Sequence, residues 1–261
     1  MVRLTYVSSK PITELTVTAT EELTPGMVRV RFRGDLARFA ESTFTDRYVK
    51  LIFGDPAELE RGARPTMRTY TVVELDVAAG TLAIDFVVHG DEGVAGPWAR
   101  TAAPGDVITV RGPGGAYAPD PAADWHLFAG DEAAIPAIRQ AVAALPDTAT
   151  GYAVVQVDGP PYRQELPTPA GLELTWLHRS DPTHPPLAEA VKALPWLEGR
   201  VHAFVHGEAH AVMHEIRPYL LRERDLPRAD VSISGYWRQG RTEEAFREWK
   251  AELARAEEAS R

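Results

Sequence analysis

The chain changes its pattern of predicted secondary structure at Pro119-Asp120-Pro121, and this change constrains the fold more than any other feature. Before it, short runs of alternating apolar and polar residues are separated by glycine, proline and aspartate. Such a pattern is typical of an antiparallel barrel or sandwich. The predicted strands cover residues 27–33, 48–53, 69–75, 81–89 and 107–111. The first part of the chain is therefore predicted to be all-β.

After this point, apolar strands alternate with helical segments, which predicts a parallel, doubly wound sheet. The predicted strands cover residues 125–129, 151–157, 172–177, 201–205 and 231–234. The predicted helices cover residues 132–144, 187–194 and 208–224. An amphipathic helix is predicted over residues 242–258, packed on the body of the protein or, alternatively, binding a partner. The predicted domains are thus 1–119, 120–241 and a C-terminal helix at 242–261.

Composition excludes several functional classes. The 261 residues include no cysteine, so disulfides, thiolate metal sites and a cysteine nucleophile are absent. A net charge of −9 disfavours a nucleic-acid surface. No apolar run reaches the roughly 18–20 residues of a membrane span, and the first ten residues lack the apolar core of a signal peptide. We expect a cytoplasmic protein that binds neither nucleic acid nor membrane.

The segment Arg68-Thr69-Tyr70-Thr71 is the strongest local signal of a binding site. On a strand, Arg68 and Tyr70 share a face and lie about 6–7 Å apart. A guanidinium can bind a pair of phosphate oxygens, while a phenol ring can cover a flat heteroaromatic group. Most segments of this composition are ordinary strands. Whether this one belongs to a binding site therefore depends on the neighbouring motifs.

A glycine-rich loop, residues 90–98, follows the next predicted strand and opens a helix. Backbone N–H groups at the start of a helix favour anions such as pyrophosphate. Asp91 and Glu92 disfavour an anion, so the N–H groups from Val94 to Trp98 are the candidate donors.

The order and spacing of several motifs resemble those of the siderophore-interacting proteins, FAD-containing ferric-siderophore reductases of the ferredoxin–NADP reductase superfamily. In the first part they are Arg68-Thr-Tyr-Thr71, Asp85-Phe-Val-Val-His89-Gly90, Gly93-Val-Ala-Gly-Pro-Trp-Ala99, Pro104-Gly-Asp106 and Gly112-Pro-Gly-Gly115. In the second part they are Gly130-Asp-Glu-Ala-Ala-Ile-Pro-Ala-Ile138, Gly207-Glu208 and Gly235-Tyr-Trp-Arg-Gln-Gly240. The resemblance implies a six-stranded antiparallel Greek-key FAD-binding barrel, then a smaller doubly wound α/β domain like those that bind NAD(P).

The resemblance also implies roles for individual residues. Arg68 would contact the FAD phosphate, Tyr70 would stack on the isoalloxazine, and Thr71 would hydrogen-bond near its N5 edge. The implied FAD-binding set is Arg68, Thr69, Tyr70, Thr71, Val87, His89, Val94, Ala95, Gly96, Pro97, Trp98, Tyr236 and Trp237. Alternatively, Tyr236 and Trp237 are aromatic residues of the hydrophobic core. The implied substrate-side cations are Lys50, Arg238 and Arg241, and for Lys50 a solvated edge charge is the alternative.

The region implied for the electron donor contains two carboxylates. The implied residues are Asp131, Glu132, Gly207 and Glu208. Ferredoxin–NADP reductases carry a glycine-rich phosphate-binding turn where this chain has Asp131 and Glu132. We interpret one of these acids as the N-cap of the following helix, where it also opposes a dinucleotide phosphate. The expected donor is NAD(P)H, bound weakly or in a displaced pose, or a ferredoxin.

Four histidines recur every four residues, at His202, His206, His210 and His214. The first two are predicted to share a strand face and the last two a helix face, where they could chelate a metal. A pair without a third ligand is a weak metal signal, so we interpret all four as surface residues.

The expected activity is transfer of electrons from FAD to iron(III) held by a siderophore, with release of iron(II). Hard oxygen ligands hold iron(III) tightly, and reduction loosens that hold. Because this step is electron transfer, no acid or base residue is assigned. The alternatives are a flavin- or quinone-directed reductase of the same superfamily and a siderophore-binding protein without catalysis.

Overall fold

The computed structural model describes residues 12–54, 61, 65–90 and 93–240. The chain divides into two compact units, Met1–Ala118 and Pro119–Arg261. The helix predicted at 242–258, together with Asp91, Glu92 and Arg241, lies outside the described residues, so these assignments stay predictions. In the described part, no helix is both long and apolar enough to span a bilayer.

Six antiparallel strands of the first unit close into a barrel in the order β1-β2-β5-β4-β3-β6. The strands are β1 Ile12–Thr24, β2 Met27–Gly34, β3 Tyr48–Phe53, β4 Thr66–Asp76, β5 Thr81–Val87 and β6 Val107–Gly114. The predicted Greek-key barrel is confirmed, and closure leaves every strand with two neighbours. β1 was not among the predicted strands, although buried residues alternate with more exposed ones from Ile12 to Thr18.

The barrel core is apolar and is completed by one short helix. Leu15, Phe32 and Phe86 have no exposed surface. Helix α1, Ala95–Thr101, packs on this core through Trp98, whose ring lies 6.3 Å from Phe32 and 5.7 Å from Phe86 between centroids. The loop that precedes α1 is therefore anchored beside the end of β5.

A buried ion pair joins β2 to β5. The Arg29 guanidinium donates to both oxygens of Asp85, at 2.6 and 2.8 Å, and also pairs with Glu74. The Asp85 side chain has no exposed surface. The hydrogen bond to Asp85 is the main cause that raises the pKa of Arg29. Asp85, the first residue of the motif Asp85-Phe-Val-Val-His89-Gly90, thus holds two strands together.

The second unit contains a five-stranded parallel sheet in the order β11-β10-β7-β8-β9. The strands are β7 Trp125–Asp131, β8 Thr150–Val157, β9 Gly171–His178, β10 Val201–Glu208 and β11 Val231–Trp237. Its α-helices include α2, Ile135–Ala143, and α3, Leu187–Ala193. The chain runs outward from β7 to β9 and then returns to β10, which confirms the predicted doubly wound arrangement. The point where the order reverses lies between β7 and β10.

The helical segment predicted over residues 208–224 is present over residues 209–223, but most of it is π-helical. Glu208 ends β10, and two π-helical segments follow, His210–Ile216 and Tyr219–Glu223. The Glu208 carboxylate accepts hydrogen bonds from the N–H groups of His210 and Ala211. Glu208 therefore satisfies backbone donors at the start of the helical segment without being part of it. The helix predicted over residues 132–144 corresponds to α2, which begins three residues later, at Ile135.

Candidate functional site

Arg68 and Tyr70 lie on the same face of β4, as predicted. They stand opposite Leu51 and Val49 of β3, which belong to the barrel core. Directly opposed residues of an antiparallel pair point to the same side of the sheet. Arg68 is only 8% exposed, and the Tyr70 ring packs on Phe86 with 4.5 Å between ring centroids. The structure thus places a buried cation and an aromatic ring two residues apart on one strand.

Thr71 lies on the other face of β4, opposite Tyr48, and is buried. Tyr48 also pairs with Gly114 of β6, and its ring occupies the space above that glycine. A Cβ atom at Gly114 would lie 2.4 Å from a ring carbon of Tyr48. Glycine at this position therefore permits a row of Thr71, Tyr48 and Gly114 across three strands.

Lys50 lies in the adjacent row on the outer face of the barrel. It is exposed and stands opposite Thr69 on β4 and Arg111 on β6. Lys50 is not a charge at a sheet edge, because the closed barrel has none. Sequence reasoning missed Arg111, since only the pairing of β3 with β6 brings it beside Lys50. Two neighbouring cations of this kind favour an anionic ligand over a neutral one.

The loop before α1 keeps fewer donors than predicted. Pro97 has no N–H, and the Trp98 N–H donates to the Val94 carbonyl at 3.3 Å. The candidate phosphate donors are therefore the N–H groups of Val94, Ala95 and Gly96.

Val87 ends β5 and is half-buried, while His89 is exposed two residues later. The role of each of these residues toward FAD stays a prediction.

A groove of about 790 Å³ lies at the end of β6 in the first unit. It is lined by Ala37, Arg38, Glu41, Ser42, Phe44 and Gly112–Gly115. Phe44 covers Gly115 so closely that a Cβ atom there would lie 2.6 Å from the Phe44 Cβ. The motif Gly112-Pro-Gly-Gly115 thus lines the groove, and its last glycine allows the Phe44 side chain to pack closely on the backbone. Sequence reasoning identified this motif but assigned it no cavity.

In the second unit, the Asp131 carboxylate accepts three hydrogen bonds at the carboxyl end of β7. The donors are the Glu208 N–H at 2.7 Å, the Trp237 indole N–H at 2.8 Å and the Ala133 N–H at 3.0 Å. Asp131 is only 2% exposed. Burial, and then the charge of Glu132, raises the pKa of Asp131 to about 6, against the effect of the three hydrogen bonds.

The prediction that Asp131 or Glu132 is the N-cap of the helix is wrong. The residue before α2 is Ala134, and no side chain caps it. Glu132 instead accepts the Asp158 N–H at 2.8 Å and pairs with Arg179. Both acids bond to groups that are distant in sequence, so the local pattern alone could not identify their partners.

Gly207 meets a conformational and a steric requirement beside Asp131. Its φ of 146° lies in the region that favours glycine, and a Cβ atom there would lie 2.7 Å from Asp131 Oδ2. Glu208, the next residue, donates its N–H to the same carboxylate. The implied donor-region residues are thus brought together around Asp131.

Tyr236 and Trp237 form the end of β11, which continues past the predicted strand end at residue 234. The Tyr236 ring packs against His206 at 4.8 Å, and the Trp237 indole bonds to Asp131. Arg238 follows and is half-buried. The predicted approach of these residues to flavin or substrate stays a prediction.

The prediction of four surface histidines is wrong for two of them. His202 and His206 are 9% and 5% exposed, while His210 and His214 are exposed. His202 Nδ1 accepts the Asp120 N–H at 3.0 Å, and His206 Nε2 lies 3.0 Å from the Ser232 hydroxyl. Both lie on a central strand whose two faces are covered, as parallel sheets require. Within the described ranges, no group of three His, Asp or Glu side chains could hold a metal ion.

Comparison with known families agrees with this architecture. Residues 123–240 match the family model described as "Siderophore-interacting protein". Residues 16–59 and 55–117 match that described as "Siderophore-interacting FAD-binding domain". The chain belongs to the siderophore-interacting protein family. The resemblance inferred from the sequence motifs is thereby confirmed, and the barrel is an FAD-binding domain of this family.

Relatives of this siderophore-interacting protein include reductases. An uncharacterized protein of Mycobacterium tuberculosis is 48% identical, over 96% of this chain and 99% of that one. The ferric vibriobactin reductase of Vibrio cholerae is 38% identical, over 71% of this chain and 69% of that one. The crystal structure of a siderophore utilization protein from T. fusca has a TM-score of 0.77 at 36% identity, covering 89% of this chain and 94% of that one.

Proposed function

We propose that this protein is an FAD-dependent reductase of ferric siderophores that releases iron as iron(II). The observation that carries the proposal is the placement of Arg68 and Tyr70 on one face of β4, within an FAD-binding domain. A relative of 38% identity, the ferric vibriobactin reductase, supports the choice of substrate class.

The residues of β4 fit FAD in their chemistry. The Arg68 guanidinium is buried, and a buried cation is stabilised by an anionic partner such as a phosphate. The Tyr70 ring is only partly covered by the core and offers a flat surface to an aromatic ligand. Arg68 would hold the phosphates and Tyr70 the isoalloxazine. Because the Thr71 side chain lies on the opposite face of β4, its contact with the reactive edge would use the backbone N–H or the twist of the strand. When bound, FAD supplies a store of two electrons that can leave one at a time.

The substrate would be recognised by charge. Lys50 and Arg111 stand side by side on β3 and β6, and they would attract anionic ferric chelates. Each iron(III) takes up one electron and becomes iron(II), which oxygen donors hold less tightly. No acid or base has to act on the siderophore in this step, and the protons that leave the flavin with the electrons can pass to solvent, so these side chains act by positioning. Arg238 and Arg241 are further candidate cations.

The physiological setting follows from the reaction. NAD(P)H or a ferredoxin would supply the electrons, and the acceptor would be a siderophore already carried into the cell. We therefore propose a cytoplasmic location. A second candidate function, reduction of flavins or quinones, would use the same FAD residues but would show no preference for ferric chelates.

The test is anaerobic reoxidation of the FAD-loaded protein. The flavin is reduced by dithionite under argon and mixed with a ferric siderophore, while the flavin absorbance and trapped iron(II) are recorded. We expect two iron(II) for each flavin reoxidised. The matching gallium(III) siderophore, which cannot be reduced in this way, should leave the flavin bleached.

Two results would overturn the proposal. A flavin that is reoxidised by quinones but not by ferric siderophores would favour the wider class of reductases. A protein that binds ferric siderophore but no FAD would favour a binding protein without catalysis.

A further inference from the structure

The groove at the end of β6 lies where the pairing of β6 with β3 is irregular. Between the pairs Tyr48–Gly114 and Lys50–Arg111, β6 has two residues where β3 has only one. An extra residue of this kind forms a bulge, which bends its strand and leaves one residue unpaired. The two bulged residues, 112 and 113, line the groove. The groove is therefore built into the closure of the barrel.

The facing wall of the groove, which carries Phe44, is fixed by hydrogen bonds close to that residue. The buried Asp46 carboxylate accepts the N–H groups of Ala116 and Tyr117, both at 2.9 Å. In return, the Tyr117 carbonyl accepts the Thr45 N–H at 2.8 Å. A site whose walls are already in place loses little conformational entropy when a ligand binds.

The groove offers a flat group an aromatic ring on one side and bare backbone on the other. Phe44 packs on Gly115 but stays 39% exposed, so part of its ring is free to meet a ligand. Gly112, Gly114 and Gly115 line the groove without side chains, and Pro113 adds an apolar ring. The volume of about 790 Å³ is typical of small-molecule sites. An aromatic group of a ligand can therefore stack on Phe44.

The charges around the groove favour an anion. Arg38 lines it, is exposed and forms no ion pair within the described ranges. Arg47 donates to the carbonyl of Ser42, another lining residue, and burial lowers the pKa of Arg47. Lys50 lies one strand repeat, about 6–7 Å, beyond the Tyr48–Gly114 pair. These cations outweigh Glu41, the acid that lines the groove, and so attract negative charge.

We infer that this groove binds an aryl ring of the siderophore, and that the protein therefore selects catecholate siderophores over aliphatic hydroxamates. The inference rests on the proposed function and names the chemical class of its substrate. A catecholate is a flat ring that carries its own iron-binding oxygens, so one group can meet both Phe44 and the cations. Three catecholates leave the ferric complex strongly negative, whereas three hydroxamates only balance the charge of iron(III).

The test is calorimetric titration of the FAD-loaded protein with gallium(III) complexes, which bind like the ferric ones but accept no electron. The probes are the complexes of enterobactin, a tricatecholate, and of desferrioxamine B, a trihydroxamate. Phe44→Ala removes the ring and Phe44→Tyr retains it. Val107→Ala is the matched control, because it removes another exposed apolar side chain from the same unit.

We expect wild type to bind the tricatecholate at least tenfold more tightly than the trihydroxamate. Phe44→Ala should lose about tenfold in affinity for the tricatecholate alone, because stacking on the ring is lost. Phe44→Tyr and Val107→Ala should bind it as wild type does. If Phe44→Ala does not fold, Phe44→Leu replaces it, since leucine is apolar but has no flat ring.

Three results would overturn the inference. They are equal affinity of wild type for the two complexes, the same loss in Phe44→Ala for both, and a weaker affinity of Phe44→Ala for FAD, which would assign the groove to the cofactor. Because gallium(III) is not reduced, these titrations are independent of the reoxidation test. A protein that reduces both kinds of ferric complex but binds them equally would refute this inference and leave the proposed function intact.

Discussion

The Trp237 indole donates a 2.8 Å hydrogen bond to the Asp131 carboxylate, although the two residues end strands that are not neighbours. β10 lies between β7 and β11, so the bond crosses the end of a whole strand. The pairing of β10 with β11 is irregular there, with Glu208 opposite Trp237 and Gly207 opposite Gly235. This irregularity lets both Glu208 and Trp237 donate to one carboxylate.

Trp237→Phe should destabilise the second unit, because it removes one donor from a buried charge. A hydrogen bond to a charged group contributes about 1.5–3 kcal/mol, so we expect a loss of that size in the free energy of unfolding. Chemical denaturation measures it. Trp176→Phe, which changes an indole elsewhere in the same sheet, is the control, and equal losses in both variants would contradict the role of the bond.

The pH dependence of stability should show the buried Asp131. Its pKa rises from 3.8 in the unfolded chain to about 6 in the folded protein, mainly because burial disfavours the charge. Between these values the folded state binds more protons, so the free energy of unfolding falls as the pH rises and levels off above about 6. The titration of Asp131 contributes about 2–3 kcal/mol to this fall in the free energy of unfolding.

Asp131→Asn should abolish this part of the profile. We expect wild type to lose stability relative to Asp131→Asn between about pH 4 and about pH 6. Denaturant unfolding of both proteins across this range measures the difference. A constant difference in stability at every pH would show that Asp131 does not titrate as inferred.

His126 should contribute a slope of opposite sign. Burial, followed by the charge of His202, lowers the pKa of His126 to about 4. Below the unfolded pKa of about 6.5 only the unfolded chain takes up the proton, so stability falls as the pH falls toward 4. His126→Gln should flatten this decline, whereas His214→Gln, at an exposed position, should leave it unchanged.

Arg68→Ala should weaken FAD binding, because it removes the buried cation proposed to meet the phosphates. Loss of a charge-assisted bond predicts an increase of about 10- to 100-fold in the FAD dissociation constant. Quenching of flavin fluorescence in titrations of the apoprotein measures it. Arg33→Ala removes an exposed arginine from β2 and should retain the wild-type affinity. Equal affinities in all three proteins would contradict the assignment.

Lys50→Glu should slow the reaction with anionic ferric chelates. Reversing one charge of a cationic pair reduces electrostatic steering, so we expect a loss of about tenfold in the second-order rate constant at low salt. The loss should shrink at high ionic strength, where screening weakens the attraction. Stopped-flow reoxidation measures the rate, with Lys192→Glu as the same charge change on the second unit. A loss that is independent of salt would point to a structural effect.

The strand pattern was largely predictable because alternation of apolar and polar residues is a local property. β3 runs from Tyr48 to Phe53 as predicted, and β4 carries Arg68 and Tyr70 on one face. The shared face follows from the period of a strand, whatever the rest of the fold does. The order of the motifs also sufficed to indicate the family.

Tertiary structure alone decided which distant groups meet. Arg111 stands beside Lys50 because β6 closes the barrel against β3, and no short-range pattern encodes that register. His206 is buried because both faces of a central parallel strand are covered. Asp131 looked like a helix cap from its neighbours in sequence. Its partner Trp237 lies 106 residues away, and only the folded sheet brings the two together.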